Sequence, residues 1–532
     1  MTSLRRPLLL GAASLGLLLS ALDMYVVVTL LPGMLYDLDL SVDHIEQATP
    51  IVSGFLAGYV MVMPLVGLAA DAYGRALAFF GSLVLFALGS LLTATAAFSG
   101  EPPFGVYGLP WLVVGRSLQG VGGGAMVPVA LALAADMYPS SASRDRAIGA
   151  VSAVQEVGAV LGPLYGAGLA GLAAGFGGWR AVFWANLPLA AVIGIGFLLA
   201  YRASDPPPKR PPTRGVRGGA GELDEGAPAT DWLGAVCLGG GLGLVVVALY
   251  PDRPASSATG SLFLPAGAAA LLLLAAWGWR QARGLAPLIT PALLRSRRFL
   301  GASLANLLAG GGLMVALVDI PIEGRGVFDL DQLGAALLLA RFMVAVPAGA
   351  LAGGFLSSRL GRRFTALSGL LLAAAGFALI AGWDAGELGR RWGPLGIADL
   401  ELLLTGCGFG LVIAPLAGTV IDLAAPARHG LAASLVVLVR TLGMLLSLSV
   451  LTAYGVHRFY QLVNSGPALR LIPGSPDFAA QKHLYEQRVS DALVAEYHGV
   501  FLVAAGLCAA AAFLAALSLS APSTEGTTTR SM

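Results

Sequence analysis

Long apolar runs decide what this chain can fold into. From Leu8 to Leu31, and again many times along the 532 residues, stretches of about 20 predominantly apolar residues follow one another. Such a stretch matches the thickness of a bilayer's hydrocarbon core. Inside hydrocarbon every backbone N–H and C=O must find its partner within the protein, which leaves helices or closed barrels. Runs of this length read as helices. Fourteen are legible, near 8–31, 48–70, 77–98, 111–135, 147–174, 181–201, 232–250, 262–280, 299–320, 332–357, 364–383, 399–423, 430–460 and 491–520. The expected fold class is an all-α polytopic membrane protein. The N-terminal run could be mistaken for a signal peptide, but it continues past Asp23 to Leu31 and further spans follow. It reads as the first membrane helix.

Composition agrees. Hydrophobic residues make up 57% of the chain and charged residues 12%, half of the roughly 25% usual in soluble domains. The net charge of +2 gives no reason to expect nucleic acid. Cys237, Cys407 and Cys508 each lie inside an apolar run and read as small core residues. No histidine has a partner at metal-ligand spacing, so neither metal nor cofactor is expected. No nucleophile–base pair or phosphate loop is visible, so the chain does not read as an enzyme.

Arginine bias sets the expected orientation. With the N-terminus in the cytoplasm, the inner segments collect Arg5, Arg6, Arg75, Arg144, Arg146, the run from Arg202 to Arg217, the cluster from Arg280 to Arg298, Arg359, Arg362, Arg363 and Arg428. That is roughly two thirds of all Lys and Arg, as the positive-inside rule requires. Both termini are then cytoplasmic, and the expected location is a bacterial inner membrane.

The chain divides and repeats. Residues 203–231 are rich in Pro, Gly and Arg with no apolar face, and read as a cytoplasmic linker. Gly67-Leu-Ala-Ala-Asp-Ala-Tyr-Gly-Arg75 recurs as Gly354-Phe-Leu-Ser-Ser-Arg-Leu-Gly-Arg362, each after the second span of a six-span half. That is the pattern of a duplicated transporter. The expected organisation is a six-helix bundle over 1–202, the linker, two inserted helices over 232–281, and a second six-helix bundle over 282–532. Within the last part, alternation around Gly324-Arg-Gly326 reads as a short hairpin on the outer face at 320–331. The final two helices, about 430–520, are longer than a bilayer needs. Their outer ends are either a helix–loop–helix cap or a paired extension standing off the membrane.

Four ionisable residues sit in the middle of apolar runs: Asp23, Arg116, Glu156 and Arg440. Charges at membrane depth are costly and mark partners, cavities or proton paths. Burial disfavours the charged form of a carboxyl group, so Asp23 is either a proton carrier or a structural carboxylate bonded to a neighbouring helix. Arginine stays charged when buried. Arg116 can therefore stage proton release from a nearby carboxylate, or simply bond backbone carbonyls. Glu156 lies beside Gly158, Gly162, Pro163 and Gly166, a small-residue pattern suited to close helix packing. It is either a second protonatable site or half of an ion lock, with Arg440 as partner. Asp71 and Arg75 are candidate gating residues in the first loop. Ser358 replaces the aspartate in the second loop, so no gating role is expected there. Asp319 and Arg341 are candidate cavity or interface residues.

The first loop resembles the signature of the major facilitator superfamily. Val114-Gly-Arg-Ser-Leu-Gln-Gly120 is similar to its fourth-helix motif, and Glu156-Val-Gly-Ala-Val-Leu-Gly-Pro-Leu-Tyr-Gly166 to its fifth-helix antiporter motif. Leu22-Asp-Met-Tyr-Val-Val-Val-Thr29 and Trp179-Arg-Ala-Val-Phe-Trp-Ala-Asn-Leu-Pro188 resemble the 14-span drug:H⁺ antiporter branch. The first-helix and fifth-helix segments, with Leu317-Val-Asp319 and Val439-Arg-Thr-Leu-Gly-Met444, also resemble the mycobacterial triacylglyceride exporters. The resemblance implies a monomeric, proton-coupled exporter working by alternating access. Its cargo would be triacylglyceride-like lipid, or small hydrophobic drugs. A periplasmic lipid-carrying lipoprotein of the LprG type is the implied partner. A non-transporting scaffold on the same fold is the reading from another class, and the buried titratable residues argue against it.

Overall fold

The computed structural model describes residues 5–37, 49–96, 108–173, 175, 177–203, 231–249, 262–283, 289, 291–463 and 478–519. The expected linker lies almost wholly outside the described residues. Helices α1 (Arg5–Asp37), α2 (Thr49–Tyr73), α3 (Arg75–Ala94), α4 (Gly108–Met137), α5 (Ser141–Leu172) and α6 (Arg180–Ala203) form one bundle. Helices α7 (Trp232–Leu249) and α8 (Phe263–Ala282) follow, and then a short α9 (Pro291–Arg295). The second bundle comprises α10 (Arg297–Gly326), α11 (Gln332–Leu360), α12 (Arg362–Ile380), α13 (Ile397–Leu423), α14 (His429–Val463) and α15 (Phe478–Ser518). Among the described residues fourteen of these helices are long and apolar enough to cross a membrane.

The two bundles repeat each other's packing. In the first, α1 lies on α5, α2 and α3 on α4, and α3 on α6; in the second, α10 lies on α14, α11 and α12 on α13, and α12 on α15. Lipid tails are as apolar as leucine, so helices in a bilayer associate through close packing of small residues and hydrogen bonds. A Cβ at Gly120 of α4 would lie 2.0 Å from the Phe55 carbonyl oxygen of α2. At the equivalent place in the second bundle, a Cβ at Gly406 of α13 would lie 2.2 Å from the Phe342 carbonyl of α11. The repeated loop is also duplicated in backbone shape. Gly74 (φ 97°, ψ 151°) and Gly361 (φ 87°, ψ 154°) precede α3 and α12 in a region that essentially only glycine occupies.

Helix α7 packs on α2, where Gly239 and Gly243 meet Met61, and α8 packs on α7. Tyr73 stacks on Trp232, and Arg280 of α8 bonds Asp231, which also caps α7 through the Gly234 N–H.

The expected hairpin at 320–331 is not present. Helix α10 continues to Gly326, and the Val327 N–H closes it on the Glu323 carbonyl at 2.8 Å. Each residue added to an existing helix gains a hydrogen bond, whereas an isolated two-strand ribbon is marginal. A two-stranded pair occurs elsewhere: β1 (Arg391–Trp392) runs antiparallel to β2 (Leu395–Gly396) around Gly393 at φ 64°. Helices α14 and α15 contain 35 and 41 residues. At 1.5 Å per residue they reach about 52 and 62 Å, against a hydrocarbon core of about 30 Å.

Gly120→Val should push α2 from α4 and lower the thermal unfolding temperature of the detergent-solubilised protein. The cost should be about 1–3 kcal/mol, the range for overpacking. Gly168→Val, with nothing within 4 Å of the added Cβ, should leave it unaltered.

Candidate functional site

A cavity of about 770 Å³ lies between the bundles. Its wall is chiefly aliphatic and aromatic, with Leu17, Phe55, Leu131, Leu313, Val346 and Met444 among its residues. Glu156, Arg116, Arg440, Asp319 and Glu496 supply its charges.

Glu156 and Arg440 meet across the bundles. The Arg440 Nη2 donates to Glu156 Oε1 at 3.1 Å. Helix α5 brings Glu156 here by packing its glycine face onto α1. Cβ atoms at Gly158, Gly162 and Gly166 would approach the Leu18 carbonyl, the Leu22 carbonyl and the Val26 side chain within 2.8 Å. Pro163 lies inside the same helix and supplies no N–H to its ladder. Helix α10 holds α14 as closely, because a Cβ at Gly310 would lie 2.2 Å from the Arg440 carbonyl.

Asp23 and Arg116 form a second pair within the first bundle. The Arg116 Nη1 donates to Asp23 Oδ2 at 2.6 Å, and both side chains are at most 1% exposed. Asp23 Oδ1 accepts from Gln119 Nε2 at 3.0 Å and from Asn186 Nδ2 at 2.8 Å. Ser90 accepts from the same two amides, at 2.7 and 3.2 Å. The Phe55 ring covers the guanidinium with its centroid 4.4 Å from Arg116 Cζ. Arg116 Nε and Asn186 Oδ1 have no partner. The carboxylate is thus neutralised and bonded on both oxygens behind an aromatic cover, while Arg116 borders the cavity.

The face that carries most arginines is closed by two related clusters. In the first, Asp71 accepts from Arg75 Nη1 at 2.5 Å and from the Gly430 and Leu431 N–H groups, each at 3.0 Å. It therefore caps the start of α14, where a negative charge meets the positive end of the helix dipole. Arg75 Nε also bonds Asp136 Oδ2 at 3.1 Å, and Asp136 pairs with His429 Nδ1 at 2.8 Å. In the second cluster Arg362, the counterpart of Arg75, grips Asp145 at the start of α5. Its Nε lies 3.0 and 2.9 Å from the two carboxylate oxygens, and Nη2 lies 2.7 Å from Oδ1. Arg362 Nη1 reaches Asp422 at 2.7 Å, and Arg144 pairs with Asp422 as well.

The second loop is therefore tied to the facing bundle in spite of its missing aspartate. Ser358 turns back to the Phe355 carbonyl, and the carboxylate is provided by the facing helix as Asp145. The signal lay in Arg144-Asp-Arg146 at the start of a span and in Asp422 at the end of one. Gln119 and Asn186 were also missed, although both lie inside the motifs quoted above. Arg341 does not line the cavity. Its guanidinium is partly exposed and bonds Asp399 at 2.5 Å near the start of α13, because a carboxylate lies within its reach there. Asp319 does line the cavity.

Comparison with known proteins places these features in a family. The profile of the Major Facilitator Superfamily matches residues 13–448. A triacylglyceride transporter of Mycolicibacterium smegmatis is 40% identical over 521 residues, covering 96% of this chain and 87% of the relative. A triacylglyceride transporter of Mycobacterium tuberculosis is 36% identical over 526 residues, covering 96% and 94%. Among solved structures, the human organic anion transporter MFSD10 aligns with a TM-score of 0.58 at 18% identity, covering 94% of this chain and 99% of the other. The proton:xylose symporter XylE aligns with a TM-score of 0.55 at 15% identity, covering 95% of each. These two share the fold. The chain belongs to the major facilitator superfamily and is a membrane transporter, not an enzyme.

Asp145→Asn should loosen the contact between the second loop and α5. Breaking a buried ion pair from one side costs about 3–5 kcal/mol. Spin labels on Arg146→Cys and Arg359→Cys, with the native cysteines replaced, should show longer and broader distances by electron paramagnetic resonance than in the parent.

Proposed function

We propose that this member of the superfamily exports triacylglyceride-like lipid from a bacterial inner membrane, driven by protons and working by alternating access. The observation that carries the reading is one apolar cavity bordered by two differently built ion pairs. Glu156–Arg440 joins the bundles across the cavity, so its making and breaking alters how they fit together. Asp23–Arg116 lies inside one bundle, so its state alters that bundle's wall. A ligand shifts a conformational equilibrium only by its differential affinity for the two states. A proton on Glu156 removes the charge that Arg440 holds and releases the lock. A proton on Asp23 frees Arg116 toward the cavity. The relatives named triacylglyceride transporters support the cargo class, as does the largely apolar wall. The orientation follows the arginine bias, which makes the closed face cytoplasmic and puts both termini there. The lengths of α14 and α15 suit a path that keeps an acyl chain from water beyond the bilayer. A lipid-carrying lipoprotein would receive the cargo at that end.

The cavity's charges also suit small hydrophobic compounds, which makes multidrug:H⁺ antiport the second reading. Reconstitution into vesicles with an imposed proton gradient separates the two, using a fluorescent triacylglyceride and a fluorescent hydrophobic cation as cargoes. Lipid movement that collapses with the gradient supports export, and movement of the cation alone sinks it. Asp23→Asn should abolish the gradient-driven component at every pH, leaving at most a slow pH-independent leak. Glu156→Gln and Arg440→Ala should each reduce transport at least tenfold, equivalent to about 1.4 kcal/mol of lost coupling. Normal transport by both variants would remove the lock from the mechanism.

A further inference from the structure

Among the described residues, three carboxyl groups of the second bundle, on α10 and α15, have no salt-bridge partner. Asp319 and Glu323 are one helical turn apart on α10 and share a face. Glu496 of α15 lines the cavity with Asp319, and its Oε1 lies where a Cβ on Gly455 of α14 would come within 2.5 Å. Glu323 is 2% exposed, and its Oε2 has no hydrogen-bond partner. It lies within electrostatic reach of Asp319, as Asp319 does of Glu496. The buried Tyr497 follows Glu496 and lines the same cavity.

Several basic groups of the surrounding helices bond other partners or are exposed. Arg341 of α11 bonds Asp399 of α13. His498 of α15 bonds the Ala381 carbonyl, and His457 of α14 bonds Gln461. Arg325 of α10 and Arg458 of α14 are exposed, and Arg488 lies two turns before Glu496 on α15. The remaining carboxyl nearby, Glu401 of α13, accepts from Trp383 Nε1 at 2.5 Å. Among the described residues, no Lys, Arg or His forms a salt bridge with Asp319, Glu323 or Glu496. This contrasts with Asp23, Asp71, Asp145 and Glu156, each of which holds an arginine.

We propose that Asp319, Glu323 and Glu496 form a second proton-binding site, at the end of the cavity remote from the two gates. The ligand is the proton. Neighbouring carboxylates in a low-dielectric wall cannot all ionise, and they share protons as a coupled set. A protonated member donates its O–H to a neighbouring carboxylate, which would use the idle Glu323 Oε2 without any cation. Loss of the proton leaves repelling charges on α10 and α15, which favours their separation or the entry of water. The site faces the same cavity as Glu156, so a proton leaving Glu156 has an acceptor on the far side of the cargo space. That last role rests on the proton-coupled reading above; the site itself does not.

The test uses pH-difference infrared spectroscopy on the purified full chain carrying Asp23→Asn, which removes the buried carboxyl that borders Arg116 from the signal. A protonated-carboxyl C=O band should be present near neutral pH. It should weaken or shift in each of Asp319→Asn, Glu323→Gln and Glu496→Gln, because the shared protons redistribute over the two carboxyls left. Size-exclusion profiles and thermal unfolding select the variants that remain folded. If one variant unfolds, the other two still decide. The proposal is overturned if every folded variant keeps the full band. It is overturned equally if sodium or tetraphenylphosphonium erases the band at fixed pH, which would make this a cation site. Because the readout is spectroscopic, a protein that moves no lipid can still support the site. A protein that moves lipid can still refute it.

Discussion

A charge inside this molecule has almost no water to lean on, and the arrangement of its helices follows from how each charge is compensated. Asp23 receives a guanidinium and two amides inside one bundle. Glu156 receives its guanidinium from the other bundle. Asp71 and Asp145 receive theirs at the arginine-rich face, and Asp71 also receives the N–H groups of a helix end. Such pairs contribute little net stability compared with well-packed apolar residues, because desolvation offsets most of the attraction. Their consequence is specificity. Each pair is satisfied in one relation between two helices and unsatisfied in others, so the pairs mark which helices can change partners only at a cost.

The two arginine clusters, which we read as gates, show how a duplicated architecture tolerates unequal sequences. In both, the glycine that opens the repeated loop lets the other bundle come close. A Cβ at Gly67 would lie 2.4 Å from Ser434 Oγ, and one at Gly354 would lie 2.6 Å from the Asp145 carbonyl. In both, an arginine after the turn glycine ties the loop to the end of a helix in its own bundle, Asp136 or Asp422. They differ in where the bridging carboxylate comes from. In the first gate it is Asp71 of the loop itself, and in the second it is Asp145 of the opposing helix. Geometry, not residue identity, is what the duplication retains.

Much of this could be read from residue patterns, and the failures have physical causes. All fourteen spans are set by local hydropathy, a property of consecutive residues, and they appear in the structure where apolar runs predict them. Membership of the fold was legible because Gly-x-x-x-Asp-x-x-Gly-Arg and Glu156–Gly166 carry short-range geometry. The partnership of Glu156 with Arg440 could be anticipated because each lies deep inside an apolar run. Gln119 and Asn186 escaped notice because uncharged amides carry no visible penalty in a hydropathy profile. Asp145 and Asp422 were not singled out, since only the fold brings residues 217 and 60 positions from Arg362 beside it. The misplaced hairpin arose from an alternation of period two that a helix already 24 residues long simply overran.

The inserted pair α7–α8 makes the molecule lopsided toward its surroundings. Helix α7 lies on α2 and touches α14, where Ser449 Oγ donates to the Leu249 carbonyl at 2.9 Å. It therefore roofs one of the two lateral seams between the bundles. Among the described residues, neither α7 nor α8 covers the opposite seam, where α5 meets α11. The two flanks of the molecule therefore present different surfaces to the bilayer. The twofold pseudo-symmetry of the twelve core helices is broken by two helices from which no described residue lines the cavity wall.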